Sequence, residues 1–192
     1  MNIASATTRT LLLDAGGMPV RWAEWMEAVT ILASGESAWT YGEPIAIARG
    51  GTRVDGKRSL IEIPPVLAKR GAHDSDLFGR TPKLENVLLF ARDRHLCLYC
   101  GERFYRHQLS RDHVTPRCQG GRDVWENTAT ACRRCNHRKG GLTPEQAGMR
   151  LLAVPYAPNH AEGLILAGRR VLADQMLFLE RHVPASRRGL TA

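Results

Sequence analysis

Apolar residues fall in short blocks along this chain, and their spacing predicts a mixture of helices and strands. Leu11, Leu12 and Leu13 predict a short buried strand that ends in a turn over residues 14–17. Past Pro19, the residues Trp22, Trp25, Met26, Val29 and Leu32 recur at helical spacing, and Ser34 and Gly35 end that helix. Residues 45–48 and 60–63 read as short strands around a glycine turn at Gly50 and Gly51, and Pro64 and Pro65 break the pattern. Residues 1–8 read as a loose tail and residues 70–81 as a polar linker. Thr81 and Pro82 supply a cap and a first-turn proline for a helix that places Leu84, Val87, Leu88 and Ala91 on one face. Thr143 to Gln146 form a capping box for a helix reaching about Leu152. A last amphipathic helix over roughly 160–182 carries Leu164, Val171, Leu172, Met176 and Leu179. The expected fold class is α+β.

The chain has 192 residues, room for one domain or one with a small appended module, and 43% apolar residues suffice for a real core. No aliphatic run approaches the roughly 20 residues of a membrane-spanning helix. The first residues show no basic segment leading into an apolar one, so a cytoplasmic protein is expected. The formal net charge is +8, which favours polyanionic partners. Its distribution is uneven. Residues 1–90 carry ten Lys and Arg against ten Asp and Glu, whereas residues 91–141 carry eleven against five.

All five cysteines share that basic window. Cys97 and Cys100, and Cys132 and Cys135, form two Cys-x-x-Cys pairs. Each pair turns two thiolates toward one centre, so together they predict a closed tetrahedral Zn²⁺ site of structural type. Cys118 is left as a free thiol without a role. His95 and His107 lie near the pairs, but four cysteines already fill a zinc shell, and both read as structural or solvent-facing.

Between the pairs stands a dense set of ligands and bases. Asp112 is a hard oxygen donor beside His113, a candidate general base. On a strand, neighbouring side chains point to opposite faces, so one can hold a metal while the other attends to a water. Asn136 offers a carbonyl oxygen from the start of a helix. Arg133, Arg134, Arg138 and Lys139 can hold phosphates.

The order Asp112-His113-x-x-Pro116, then Gly120-Gly121, Trp125-Glu126-Asn127 and Cys132-x-x-Cys135-Asn136-x-x-Lys139-Gly140 resembles the HNH nuclease family, the ββα-metal finger, in its zinc-braced bacterial form. Residues 97–141 carry this resemblance. It implies a β-hairpin and a helix, with His113 as general base, Asp112 and Asn136 as ligands of a catalytic Mg²⁺ or Mn²⁺, Asn127 as the residue that pins the loop and orients His113, and Lys139 near the scissile phosphate. His137 is the alternative ligand to Asn136, since some members of the family use histidine there. Arg111, Arg117, Arg122, Arg133, Arg134 and Arg138 are the candidate nucleic-acid contacts. The implied activity is metal-dependent hydrolysis of DNA phosphodiester bonds. Oxygen ligands suit hard ions rather than zinc at that centre, and imidazole, which titrates near neutrality, suits the base.

The same basic, cysteine-rich window also fits a zinc-braced nucleic-acid-binding module without catalysis. A third possibility is a nuclease subunit directed by a protein or RNA partner, with the charge-balanced N-terminal region docking the protein. That region resembles the extension of some bacterial HNH proteins. The expected organisation is an accessory α+β region over 1–80, the nuclease module over 81–153 and a helical extension over 154–192. A finger of this size has little core, so zinc removal is expected to unfold residues 95–140 first.

Overall fold

The computed structural model describes residues 9–52, 54, 56–71, 77–168 and 170–189. The tail at 1–8 and residues 72–76 of the polar stretch over 70–81 lie outside those residues. The chain packs as two units, one made of Met1–Gly79 with Gly168–Leu190, the other of Arg80–Ala167.

The first unit begins with β1 (Arg9–Asp14) and β2 (Pro19–Glu24), followed by α1 (Trp25–Ala33), β3 (Ser37–Tyr41), β4 (Ala46–Thr52), β5 (Arg58–Ile63) and β6 (Val66–Lys69). Its four-stranded sheet runs β2-β1-β6-β3, and the two central strands are parallel. Leu11, Leu13, Val66, Leu67 and Ala68 are fully buried. Such apolar runs belong to strands covered on both faces. Ala28 and Ile31 of α1 join Leu12, Ala23, Ala46, Ile63 and Leu67 in one core, which draws in the separate β4–β5 hairpin.

Two expectations change here. Trp22 stands on β2 opposite Leu11, and the helix starts only at Trp25. The turn after Asp14 folds residues 19–24 back along β1, and the ladder overrides helical spacing. Gly50 and Gly51 lie inside β4, at a slip of register against β5 between Arg49 and Thr52, so they form an irregularity in a strand and not the turn between two. Pro64 and Pro65 do break the strand pattern: β5 ends at Ile63, the Leu11 N–H donates to Pro65 O at 2.8 Å, and β6 begins at Val66 in the other sheet.

The second unit contains α2 (Asn86–Arg92), β7 (Leu109–His113), β8 (Thr128–Cys132), α3 (Arg133–Lys139) and α4 (His160–Ala167). Leu89, Phe90, Leu109 and Trp125 form its core. Arg92, 5% exposed, pairs with Asp93 at 2.8 Å and donates to the carbonyls of Trp125, Tyr156 and Thr128 at 3.0, 2.9 and 2.8 Å. Asp93 in turn accepts the Thr130 N–H at 2.8 Å. This buried pair satisfies carbonyls at the start of β8 and ties α2 to it.

Helix boundaries differ from expectation in this unit too. Residues 80–85 are irregular and α2 begins at Asn86. Pro82 is drawn into tertiary contacts, since its carbonyl accepts the Trp125 indole N–H at 2.7 Å and its ring lies against Gly163. The capping bonds of Thr143 and Gln146 form at 2.9 and 3.3 Å, yet only a turn results, and the chain leaves it at Gly148 with φ +61°. The single last helix is instead two, α4 and α5 (Ala173–Leu179). Helix α5 belongs to the first unit, where the buried Gln175 amide donates to Arg9 O and Pro65 O at 3.1 and 3.0 Å. Gly42 (φ +88°) lies so close to Pro65 and Asp174 that a Cβ there would collide with both. Among the described residues, no helix is long and apolar enough to cross a membrane.

Candidate functional site

The Cys97–Cys100 turn and the β8–α3 junction bring four sulfur atoms together, all within 4.8 Å of one another. Tetrahedral Zn–S bonds of about 2.3 Å require sulfurs about 3.8 Å apart, which this cluster can reach with small shifts. Local structure aims the thiols inward. Gly101, with φ +76°, closes the first turn through its N–H to Cys97 O at 2.9 Å. Cys132 caps α3, its sulfur accepting the Cys135 N–H at 3.4 Å. Burial pushes the Cys97 thiol up, but backbone N–H bonds from Cys132, Cys100 and Tyr99 outweigh it and favour the thiolate. Burial, a hydrogen bond with Cys132 and the charge on Cys97 push Cys135 up. Clustered thiolates repel, and a dication among them removes that repulsion. The cluster can therefore hold zinc.

The opposite end of the hairpin gathers the candidate reactive residues. In the β7–β8 ladder Leu109 faces Cys132 and His113 faces Thr128. Asp112 and His113 do point to opposite faces. Asp112 is 4% exposed, with Oδ1 at 3.0 Å from Lys139 Nζ and Oδ2 accepting the Tyr99 hydroxyl at 2.5 Å. Burial, and then the bond to Asp112, push the Tyr99 phenol well above its ordinary range. Lys139, 1% exposed, also donates to His113 O at 2.7 Å. The His113 side chain, 19% exposed, is turned outward.

Asn127 staples the intervening loop. Its Oδ1 accepts the Thr115 N–H at 2.8 Å, while Nδ2 donates to Thr115 O at 3.0 Å and Arg122 O at 2.8 Å. Gly121 packs so tightly on the Thr115 carbonyl that a Cβ would overlap it. On α3, Asn136 turns toward β7, donating from Nδ2 to Ser110 Oγ at 2.9 Å and Arg111 O at 3.3 Å, whereas neighbouring His137 is exposed.

The donor chemistry of Asp112 and Asn136 fits a hard cation. A carboxylate has about four lone-pair sites, and two bonds leave capacity on Asp112. Asn136 Oδ1 accepts no hydrogen bond among the described residues. Lys139 and Tyr99 already engage the two Asp112 oxygens, so a cation there would share those oxygens with the ammonium and the phenol.

Two residues here carried no sequence signal. Asp123 holds His113 Nε2 at 2.8 Å and Arg111 Nη1 at 2.8 Å. Arg111 first, and His113 next, hold the Asp123 carboxyl below its usual range. Tyr99 sits between two cysteines, where it reads as a spacer. Of the candidate nucleic-acid contacts, Arg111 is engaged by Asp123, Asn86 Oδ1 and Leu84 O, while Arg117, Arg122, Arg133, Arg134 and Arg138 are exposed. Cys118 lies 3.6 Å from Gly141 O.

The sequence profile of the family described as HNH endonuclease matches residues 97–152. No curated protein matches this chain. Among solved structures, the crystal structure of the Type II-C Cas9 enzyme from Actinomyces naeslundii shows similarity: 22% identity over 50% of this chain and 14% of that chain, with a TM-score of 0.27. The chain thus spans about one seventh of that enzyme's length. Residues 97–152 thus match the profile of the HNH endonuclease family, and the four-cysteine cluster within them fits that family's zinc-braced type.

Proposed function

We propose that this segment hydrolyses DNA phosphodiester bonds with His113 as general base. The observation that carries the reading is the division of labour at the end of β7: Asp112 faces inward to α3, and His113 is held at the surface by Asp123. A carboxylate accepting from Nε2 keeps the proton there and leaves Nδ1 to take one from water. Asn127 keeps the loop of residues 114–127 closed behind the imidazole. Asp112 and Asn136 would hold Mg²⁺ or Mn²⁺, which supplies charge stabilisation at the leaving 3′ oxygen. Lys139, which the resemblance places near the scissile phosphate, acts through Asp112 and the His113 carbonyl in a positioning role.

Nicking of supercoiled plasmid by the purified chain with Mg²⁺ or Mn²⁺ is the test. His113→Ala is expected to abolish nicking while sparing DNA binding and zinc content. Undiminished nicking by that variant would show that another group is the base.

A second reading, a zinc-braced binding module without catalysis, draws support from the engagement of Asp112 by both Lys139 and Tyr99. DNA binding with no cleavage under any divalent ion would favour it. Direction by a protein partner through the charge-balanced first 90 residues rests on composition alone.

A further inference from the structure

The end of the hairpin remote from His113 carries chemistry that the proposed reaction does not use. Two adjoining cavities of about 500 and 510 Å³ open there and share His107 and Arg133 as walls. Arg106 lines the first and Arg134 the second, while Phe90 and Phe104 supply apolar surface. Glu102 is the one acidic residue in either wall. Among the described residues, Arg106, Arg133 and Arg134 make no ion pair or side-chain hydrogen bond, in contrast to the engaged Arg92 and Arg111.

Beside these cations stands Tyr105, 76% exposed. Its ring lies within 5° of parallel to that of His107, with centroids 6.0 Å apart. The backbone beneath is pinned, since the Gln108 N–H donates to Tyr105 O at 2.9 Å and the Tyr105 N–H donates to Gln108 Oε1 at 3.1 Å. An exposed aromatic on a fixed turn loses little freedom when a second ring stacks on it.

We propose that Tyr105 and His107, with Arg106, Arg133 and Arg134, form a subsite for an unpaired nucleotide, the ring face taking the base and the guanidinium groups its flanking phosphates. This rests on the nuclease reading for its biological sense and names the substrate class: a strand that is single, or locally unpaired, at that point. In a duplex, the base faces are already stacked and cannot reach Tyr105 or enter a concave wall; in an unpaired segment they can. Leu109 and His113 are four residues apart on β7, about 13 Å at the usual strand rise. One strand can therefore occupy this subsite and the His113 end together, a few nucleotides apart.

The test measures binding on the His113→Ala background of the 192-residue chain, purified with zinc, so that the nucleic acid stays intact. The probes are a short fluorescent oligothymidylate and a duplex of equal length. Tyr105→Ala is expected to weaken oligothymidylate binding about tenfold or more and to leave duplex binding unchanged, with affinity retained in Tyr105→Phe. Tyr105 is exposed, so its truncation leaves the core intact. Unchanged oligothymidylate affinity in Tyr105→Ala, or equal weakening for strand and duplex, overturns the proposal. Plasmid nicking by the wild-type chain separates the two readings. Nicking without the Tyr105 pattern sinks only the subsite, and the Tyr105 pattern without nicking sinks only the catalytic reading.

Discussion

The Lys139 ammonium lies 3.0 Å from Asp112 Oδ1 with both side chains out of solvent, and the same nitrogen donates to His113 O at 2.7 Å. One buried cation thus ties the end of α3 to two successive residues of β7. Breaking such a pair by removing one partner costs about 3–5 kcal/mol, because the other charge stays buried alone. Lys139→Ala is expected to destabilise the Arg80–Ala167 unit by that order, and Asp112→Asn with Lys139→Met to recover much of it. Urea unfolding of both variants checks this; equal stability of Lys139→Ala and wild type would show that the pair carries no such role.

On the proposed reading, Asp123, 2.8 Å from His113 Nε2, positions the imidazole. Asp123→Ala is expected to lower the nicking rate about tenfold to a hundredfold, the usual cost of losing a histidine's orienting partner, with substrate affinity little changed. Single-turnover nicking against DNA concentration separates the two parameters. A loss confined to affinity would assign Asp123 to binding instead.

The Asp123 carboxyl also predicts a dependence on pH. Its hydrogen bonds from Arg111, and then His113, favour the ionised form in the folded chain. The resulting stabilisation is present above the ordinary carboxylate range and is lost as pH falls through the lowered value. With half the side chain exposed, the effect is small. The Tm difference between wild type and Asp123→Asn is expected to shrink on acidification. A difference that grows toward acid would reverse the sign and refute the argument.

Zinc removal is expected to act on one unit first. The amides of β8 and α3 should lose protection from hydrogen exchange before those of β1 and β6, which carry their own apolar core. Exchange measured on the chelated chain tests this, and simultaneous loss in both units would contradict it.

Where a short spacing fixed chemistry, the sequence could be read. The two cysteine pairs, the hairpin strands bearing Asp112 and Asn127's neighbour Thr128, and the start of α3 all stand where the motif placed them. Where a long-range partner decides conformation, it could not. Trp22 obeys helical spacing but is claimed by a ladder with Leu11. The apolar positions of residues 160–182 are continuous, yet Gln175 is drawn to carbonyls at Arg9 and Pro65, far away in sequence. Asp123 and Tyr99 escaped for the same reason, since each acts through a contact that no local pattern announces.

Cys135, in the sulfur cluster, and Asn136, proposed for the catalytic ion, are joined by a single peptide bond. The sulfur cluster at the start of α3 and the hydrogen bond from Asn136 Nδ2 to Ser110 Oγ on β7 are thus neighbours along one backbone. Oxidation of the thiols would slacken that joint without touching any reacting atom. On the proposed reading, a chain stripped of zinc or oxidised at these thiols would keep its covalent structure and lose the placement of Asn136.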